Sequence, residues 1–323
     1  MNIRPTKVQT FKRNFESAMQ ALDNGKGEIE ISDGCSGTGI FGFFLQGVIS
    51  ACTDIVGTPH RKINHVMSCE SDKAKQSFLL NHHPDMDLIL PDICMLQNPC
   101  VYDLRDPHTP VVPPCTAVFG SGYSCKDLSK ANSQRKSKKT NLRDGKGTSG
   151  TTLAATLDHF RLRRPTVGFL ENVPEMLQNS SWNEDECQYE SESDWVVAEF
   201  EAMDYVTFPV CIDALEYRSP MARVRWWLAV LDVEPSYAAT HDIQTEVLQL
   251  LKGAVTAEEE AFDVNSFFLD GDILDKMLES FPYQHKKKQH REEEGWKQNH
   301  YTYCTLHELD WPRDLRSNYK YFC

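Results

Sequence analysis

The stretch GEIEISDGCSGTGIFGFFLQGVISA, residues 27–51, decides the fold. GEIEIS (27–32) alternates apolar and polar residues with the period of two that marks a strand, and IFGFFLQGVISA (40–51) is an apolar helix. Between them lies Asp33-Gly34-Cys35-Ser36-Gly37-Thr38-Gly39. A glycine-rich turn from strand to helix lets a ligand approach the backbone and aims helix N–H groups at the ligand's polar end. Taken alone, the turn serves equally well as a tight connection that binds nothing.

The same alternation continues outward. NHVMSCE (64–70), DLILPDI (87–93), TAVFGSG (116–122), TVGFLENV (166–173), YVTFPVCIDA (205–214) and VRWWLAVLDV (224–233) read as further strands, giving seven. SDKAKQSFLLNHHP (71–84) is a helix stopped by Pro84, TTLAATLDHFRLRR (151–164) a second, and VVAEFEAM (196–203) a third, preceded by the acidic loop or helix start 183–194. Residues 130–150, polar and basic, read as a mobile loop. The expected class is therefore α/β: a Rossmann-like, mostly parallel seven-stranded sheet with helices on both faces. It occupies 1–233 as a catalytic domain, followed by a small α-rich C-terminal region, 234–323, with helical patterns at 243–252 and 272–280. No repeat of fixed period is present.

Composition narrows the class. The chain has 323 residues, 40% hydrophobic and 25% charged, which is globular rather than disordered. The absence of a run of about 18 apolar residues argues against a membrane span, and residues 1–20 lack the apolar core of a signal peptide, so an intracellular setting is expected. Eleven cysteines with no CxxC pair are read as mostly reduced thiols without a structural zinc site, and no metal is expected. The net charge of −13 opposes global capture of a polyanion, so a nucleic acid would have to be gripped by local basic patches such as 130–146 and 285–291.

Several chemistry-bearing residues fall at the carboxyl ends of the expected strands, where open α/β sheets bind ligands. Glu70, followed by Ser71, ends the second strand, and Asp92, followed by Ile93, ends the third. An acid after the second strand suits ribose hydroxyls, and these residues with the glycine-rich turn point to a nucleoside-containing cofactor. Without a GxGxxG in its usual register, NAD and S-adenosylmethionine both remain open. The fourth strand runs into GSGYSCKDLS, which places Cys125 beside the same crevice as a candidate thiolate. Glu171-Asn172-Val173-Pro174 ends the fifth, and Arg223-Val224-Arg225 opens the seventh with both guanidinium groups on one face.

DGCSGTG, SCESD followed by NHHP, PDI, GSGYSCKDLS, the ENV of FLENVP and SPMARVR occur in the order and approximate spacing of the motifs of cytosine-C5 methyltransferases. Over roughly 28–233 the chain resembles that family. The resemblance implies an S-adenosylmethionine methyltransferase fold, S-adenosylmethionine as cofactor, DNA as substrate and a nuclear location, with RNA as the alternative substrate. It assigns the cofactor pocket to Asp33, Cys35, Ser36, Gly37, Thr38, Gly39, Glu70, Ser71, Asp92 and Ile93, with Glu70 on the ribose and Asp92 on the adenine amine. By the same resemblance Cys125 is the nucleophile that adds to cytosine C6, Glu171 contacts N3 and the exocyclic amine, and Arg223 and Arg225 match an arginine pair supporting the base. The target base must be flipped out or already unstacked.

The chain departs from the pattern in three places. Ser124-Cys125-Lys126 stands where the family normally has Pro-Cys-Gln, and Met221-Ala222 stands where a glutamine is common. A closing segment containing Gly-Asn is missing from 234–323. Ser124 and Lys126 and the missing closing segment favour a rival reading, a non-catalytic relative that keeps the fold to bind cofactor or a partner, whereas joint retention of Cys125, Glu171, Arg223 and Arg225 favours the enzyme. A nicotinamide-dependent Rossmann enzyme is a weaker third reading.

Overall fold

The computed structural model describes residues 5–232 apart from 24, 26, 130–141, 184–187 and 218–222; the expectations for 234–323, for the first part of the 130–150 loop and for the basic patch at 285–291 lie outside the described residues. Seven strands, β1 (Glu28–Gly34), β2 (Lys62–Cys69), β3 (Leu88–Leu90), β4 (Val118–Ser121), β5 (Val167–Asn172), β6 (Val206–Asp213) and β7 (Val224–Leu231), form one sheet in the order β3-β2-β1-β4-β5-β7-β6. Neighbours from β3 across to β5 pair in parallel, and β7 runs antiparallel to both β5 and β6. This is the mostly parallel, Rossmann-like α/β sheet expected from the sequence. The order of strands reverses between β1 and β4, so their carboxyl ends flank a crevice.

Alternation along the strands sorts the core into two layers. Ile29 and Ile31 of β1, Val118 of β4 and Val167 and Phe169 of β5 face one way. They pack against α1 (Pro5–Leu22) and α2 (Ile40–Val56), which contribute Phe15, Met19, Leu22, Phe41 and Leu45. Leu88 and Leu90 of β3, Phe119 of β4 and Leu170 of β5 face the other way, into a larger cluster with α4 (Gly147–Arg163) and α5 (Glu192–Glu201). The intervening Ile89 meets Leu79 of α3 (Lys73–His82), so helices cover both faces. Period two puts successive side chains on opposite faces, which explains why β3 reads as a continuous apolar run while β1 alternates Glu28, Ile29, Glu30 and Ile31.

Local chemistry sets the helix ends. Asp72 caps α3 by accepting from the Ala74 and Lys75 N–H groups, and Ser191 caps α5 in a reciprocal capping box with Asp194. The structure differs from the sequence reading in four elements. Pro5–Leu22 forms a helix that the sequence reading passed over, although Phe15, Met19 and Leu22 follow helical spacing. The third strand shortens to Leu88–Leu90 because Pro91 donates no N–H and Asp92 then caps a 3-10 turn. The loop expected over 130–150 ends early: Leu142–Asp144 is a 3-10 turn with Leu142 buried, and α4 already starts at Gly147. Part of the acidic 183–194 stretch lies in a hairpin of Asn179–Asn183 with Gln188–Ser191, and α5 starts at Glu192, earlier than residue 196.

His159 of α4 lies fully within the larger cluster, its ring 4.3 Å from that of Phe119. Neither ring nitrogen has a hydrogen-bond partner among the described residues. Burial, reinforced by Arg163, lowers its pKa from 6.5 to about 3. An unfolded chain takes up this proton below pH 6.5 while the folded chain refuses it down to about 3, so folded stability falls as pH drops through that window. His159→Leu is expected to raise stability by about 1–2 kcal/mol by removing two unpartnered nitrogens, and to flatten the acid limb of unfolding midpoint against pH. An unchanged acid limb contradicts this account.

Candidate active site at the carboxyl edge of the sheet

The glycine-rich turn leaves β1 and is knotted to the end of β2. Ser36 is the centre of the knot: its backbone N–H donates to the Cys69 carbonyl at 2.8 Å, and its hydroxyl lies 2.5 Å from Asp33 Oδ1 and accepts from the Cys69 N–H at 2.8 Å. Asp33, itself buried, also accepts from the Ser68 hydroxyl at 2.6 Å and lies 3.2 Å from His65 Nε2. Its other oxygen, Oδ2, is buried without a partner among the described residues. Gly37 and Gly39 take φ values of 61° and 72°, which favour glycine, and Cys35 takes 56° with a side chain. Nothing lies within 4 Å of where a Cβ on Gly37 would sit, so the top of the turn is open.

Glu70 reaches across from the end of β2. Its Oε2 accepts from Gly37 N–H at 2.8 Å and its Oε1 from Asp72 N–H at 2.8 Å. A carboxylate has about four acceptor positions, so capacity remains for hydroxyl donors. Gln76 of α3 fixes the spacing of β2 and β3 by donating to the carbonyls of Glu70 at 2.6 Å and Pro91 at 3.2 Å. Asp92 is exposed and accepts from Cys94 N–H at 2.8 Å, while Ile93 is buried beneath β1, where Gly34 leaves room for it. Ser71 and Thr38 are exposed, and the Thr38 carbonyl accepts from His83 Nε2 at 3.2 Å.

Across the crevice, β4 ends in the loop that carries half-buried Cys125. Tyr123, two residues before it, is buried; its carbonyl accepts from Asn172 Nδ2 at 3.0 Å, and its hydroxyl points to Met176 Sδ at 3.4 Å. At the end of β5, Glu171 Oε1 accepts from Arg225 Nε at 2.8 Å, and Oε2 would lie 3.5 Å from a Cβ on Gly122. The reversal of β7 makes this pairing possible. Trp227 sits opposite Glu171 in the ladder, so Arg225, two residues earlier, shares the face of Glu171 at the edge where the parallel strands end.

The structure thus gathers Asp33, Cys35, Ser36, Gly37, Thr38, Gly39, Glu70, Ser71 and Asp92 around one turn, with Ile93 as its floor, and joins Glu171 to Arg225 beside the Cys125 loop. Arg223 falls just before β7, with its side chain exposed, its N–H on Asp213 and its carbonyl on Ala214. The sequence gives no role to Gln76 or His65, and it brings in His83 and Asn172 only as parts of the motifs NHHP and ENV. Gln76 had a signal in the sequence, four residues after the Asp72 cap. His65 lies 3.2 Å from Ser68 Oγ, three residues on, but its approach to Asp33 and that of His83 to the Thr38 carbonyl span long stretches of chain that no local pattern announces.

No protein-family model and no curated protein sequence matches the chain. Among solved structures it is similar to a protein described as a prophage-encoded DNA modification methyltransferase of E. coli, with 16% identity, a TM-score of 0.41, and coverage of 68% of this chain and 50% of that one. It is also similar to the S. pombe Dnmt2 methyltransferase, with 12% identity, a TM-score of 0.42, and coverage of 79% and 67%. The match therefore spans half the length of the first of these proteins.

Two outcomes follow from this geometry. Ser36→Ala removes the acceptor of the buried Cys69 N–H and is expected to cost about 1–3 kcal/mol, read as a lower unfolding midpoint; wild-type stability would show that the knot is dispensable. The pocket thiols are also suppressed: burial, then Glu70 and Asp92, raises the Cys35 pKa to about 12, and burial with Asp92 raises Cys94 to about 11. Cys69 is likewise pushed up by full burial. At pH 8 the thiolate fraction of Cys35 is then about one in ten thousand. Iodoacetamide should therefore label exposed Cys100 and Cys115 well before Cys35, Cys69 and Cys94, as followed by peptide mass spectrometry; equal rates would contradict this picture.

Proposed function

We propose that the chain transfers a methyl group from S-adenosylmethionine to C5 of cytosine in DNA through a covalent bond between Cys125 and C6. The observation that carries this reading is the Glu171–Arg225 pair at 2.8 Å, held at the same sheet edge as the Cys125 loop and the glycine-rich turn. A structural ion pair needs neither a neighbouring cysteine loop nor an open turn across the crevice.

Three features support the cofactor: the Gly37 turn is open, Glu70 keeps acceptor capacity for ribose hydroxyls, and Asp92 is exposed and can accept from an adenine amine. Asp33, with its unpartnered Oδ2, puts an anion under the turn that favours a cationic ligand. When bound, S-adenosylmethionine supplies an electrophilic methyl group.

The chain's own residues supply the rest. Cytosine C5 is a poor nucleophile until a thiolate adds to C6 and turns C5=C6 into an enamine. Cys125 Sγ forms that bond as its thiol proton is lost, while Glu171 delivers a proton to N3, which takes up the electron pair displaced as C6 is attacked and gives that proton back when Cys125 leaves. Arg225 fixes the Glu171 carboxylate through Oε1, which leaves Oε2 directed to the Gly122 side. After C5 takes the methyl group, loss of the C5 proton to a base re-forms C5=C6 and expels Cys125 as thiolate. The base must be outside a duplex for any of this to occur.

The test is trapping by 5-fluorocytosine, which blocks the final proton loss. Full-length protein is incubated with S-adenosylmethionine and a fluorinated oligonucleotide, as DNA and as RNA. A denaturation-resistant adduct with the DNA is expected, abolished in Cys125→Ala and slowed on the order of 10²–10⁴-fold in Glu171→Gln. An adduct with RNA alone overturns the DNA assignment. No adduct with either, while cofactor binding persists, overturns the enzyme.

A further inference from the structure

The residues that surround the nucleophile loop form a regular pattern on α4. Ser121 Oγ and Thr156 Oγ1 are 3.1 Å apart; Ser124 N–H donates to Thr152 Oγ1 at 3.1 Å; Asp127 N–H donates to Ser149 Oγ at 3.0 Å, while Asp127 Oδ2 accepts from Ser149 N–H at 2.8 Å. Along the loop the positions are 121, 124 and 127; along the helix they are 156, 152 and 149, one turn per rung on a single face. The loop therefore runs antiparallel to a stripe of hydroxyl groups, and Cys125 lies between the second and third rungs.

The rungs have a fixed direction. Thr152 Oγ1 lies 2.8 Å from the Thr148 carbonyl, and Thr156 Oγ1 lies 2.9 Å from the Thr152 carbonyl; each hydroxyl donates to its own helix. Their lone pairs are left as acceptors for the loop. The third rung closes only because Gly147, at φ 70°, has no side chain: a Cβ there would lie 2.6 Å from Asp127 Oδ2. Behind the thiol, the Cys125 carbonyl accepts from the N–H groups of Leu128 at 3.0 Å and Ser129 at 2.9 Å.

We propose that Thr152, Ser149 and Asp127 are positioning residues that hold the Cys125 thiol at the crevice, doing through hydrogen bonds to α4 what a proline before the cysteine would do through a rigid backbone. The inference rests on Cys125 being the nucleophile. A fully apolar helix face would pack against the loop equally well, but it would leave the Ser124 and Asp127 N–H groups unpartnered and the loop free to slide by one residue. The ladder sets the register.

The test uses full-length protein and the variants Thr152→Val, Ser149→Ala and Thr152→Ser. Two rates are read: formation of the 5-fluorocytosine adduct at saturating S-adenosylmethionine, and alkylation of Cys125 by iodoacetamide, resolved by peptide mass spectrometry. In Thr152→Val and Ser149→Ala the adduct rate should fall on the order of 10- to 100-fold with cofactor affinity unchanged, and alkylation of Cys125 should accelerate severalfold as the loop loosens. Thr152→Ser, which keeps the acceptor, should restore both. Wild-type rates in Thr152→Val and Ser149→Ala overturn the proposal. So does a loss in Thr152→Val that Thr152→Ser fails to restore and that merely tracks a lowered unfolding midpoint. If wild-type protein forms no adduct with any oligonucleotide, the methyl-transfer reading falls, and the ladder stands or falls on the alkylation rates alone.

Discussion

The Ser36 side chain, placed between the Asp33 carboxylate and the backbone of Cys69, is the contact on which the site depends. Parallel strands offer no short connection between their carboxyl ends, so something other than chain continuity must set the distance between the end of β1 and the end of β2. Ser36 does this with a backbone bond and a side-chain bond to the same residue, and the Glu70 carboxylate adds a third link through Gly37 N–H. Because the turn is tied to the neighbouring strand, its positive-φ residues, Cys35 included, can be held in conformations that the chain alone would not favour. The open backbone of Gly37 is a product of that restraint.

The second organising constraint is the direction of β7. A fully parallel sheet brings only the carboxyl ends of strands to the crevice, so every side chain there follows its strand. A reversed strand brings its beginning to the same edge, and Arg225 reaches Glu171 because it precedes the residue that faces Glu171 in the ladder. Arg223 lies two residues further out, just before the first residue of β7, and its exposed side chain follows from that position. The two arginines look equivalent in sequence, but the end of the strand separates them.

The strands were legible because burial on both faces makes them short apolar runs bounded by turn residues, and seven such runs fold into the seven strands of the sheet. The start of α4 was not. Gly147-Thr148-Ser149-Gly150 has poor helix propensity, and it is helical because Asp127 caps it from a distant loop and because Gly150 packs against the backbone of Gly145. The helix α1 escapes the pattern for the opposite reason: Phe15, Met19 and Leu22 are spaced correctly but sit among many polar residues. At the site, Glu70, Glu171 and Arg225 were readable as residue types at strand ends. Asn172 acts on a carbonyl brought near by the fold, and no local pattern announces a partner 49 residues away.

Ser124-Cys125-Lys126, standing where the family that the sequence resembles has Pro-Cys-Gln, looks in sequence like a loss of order around Cys125. The structure supplies order from outside the loop. Proline would restrict the chain by fixing φ and by removing a donor; serine restores the donor, and that N–H is the one Thr152 accepts. The change therefore converts a restraint internal to the loop into a restraint between the loop and α4. An internal restraint survives movement of the helix, whereas this one ties the position of Cys125 to α4 and, through Ser121 and Thr156, to the end of β4. The Cys125 loop, the helix and the strand are consequently tied to one another, and α4 is itself seated on the core through Leu153, Leu157 and Phe160.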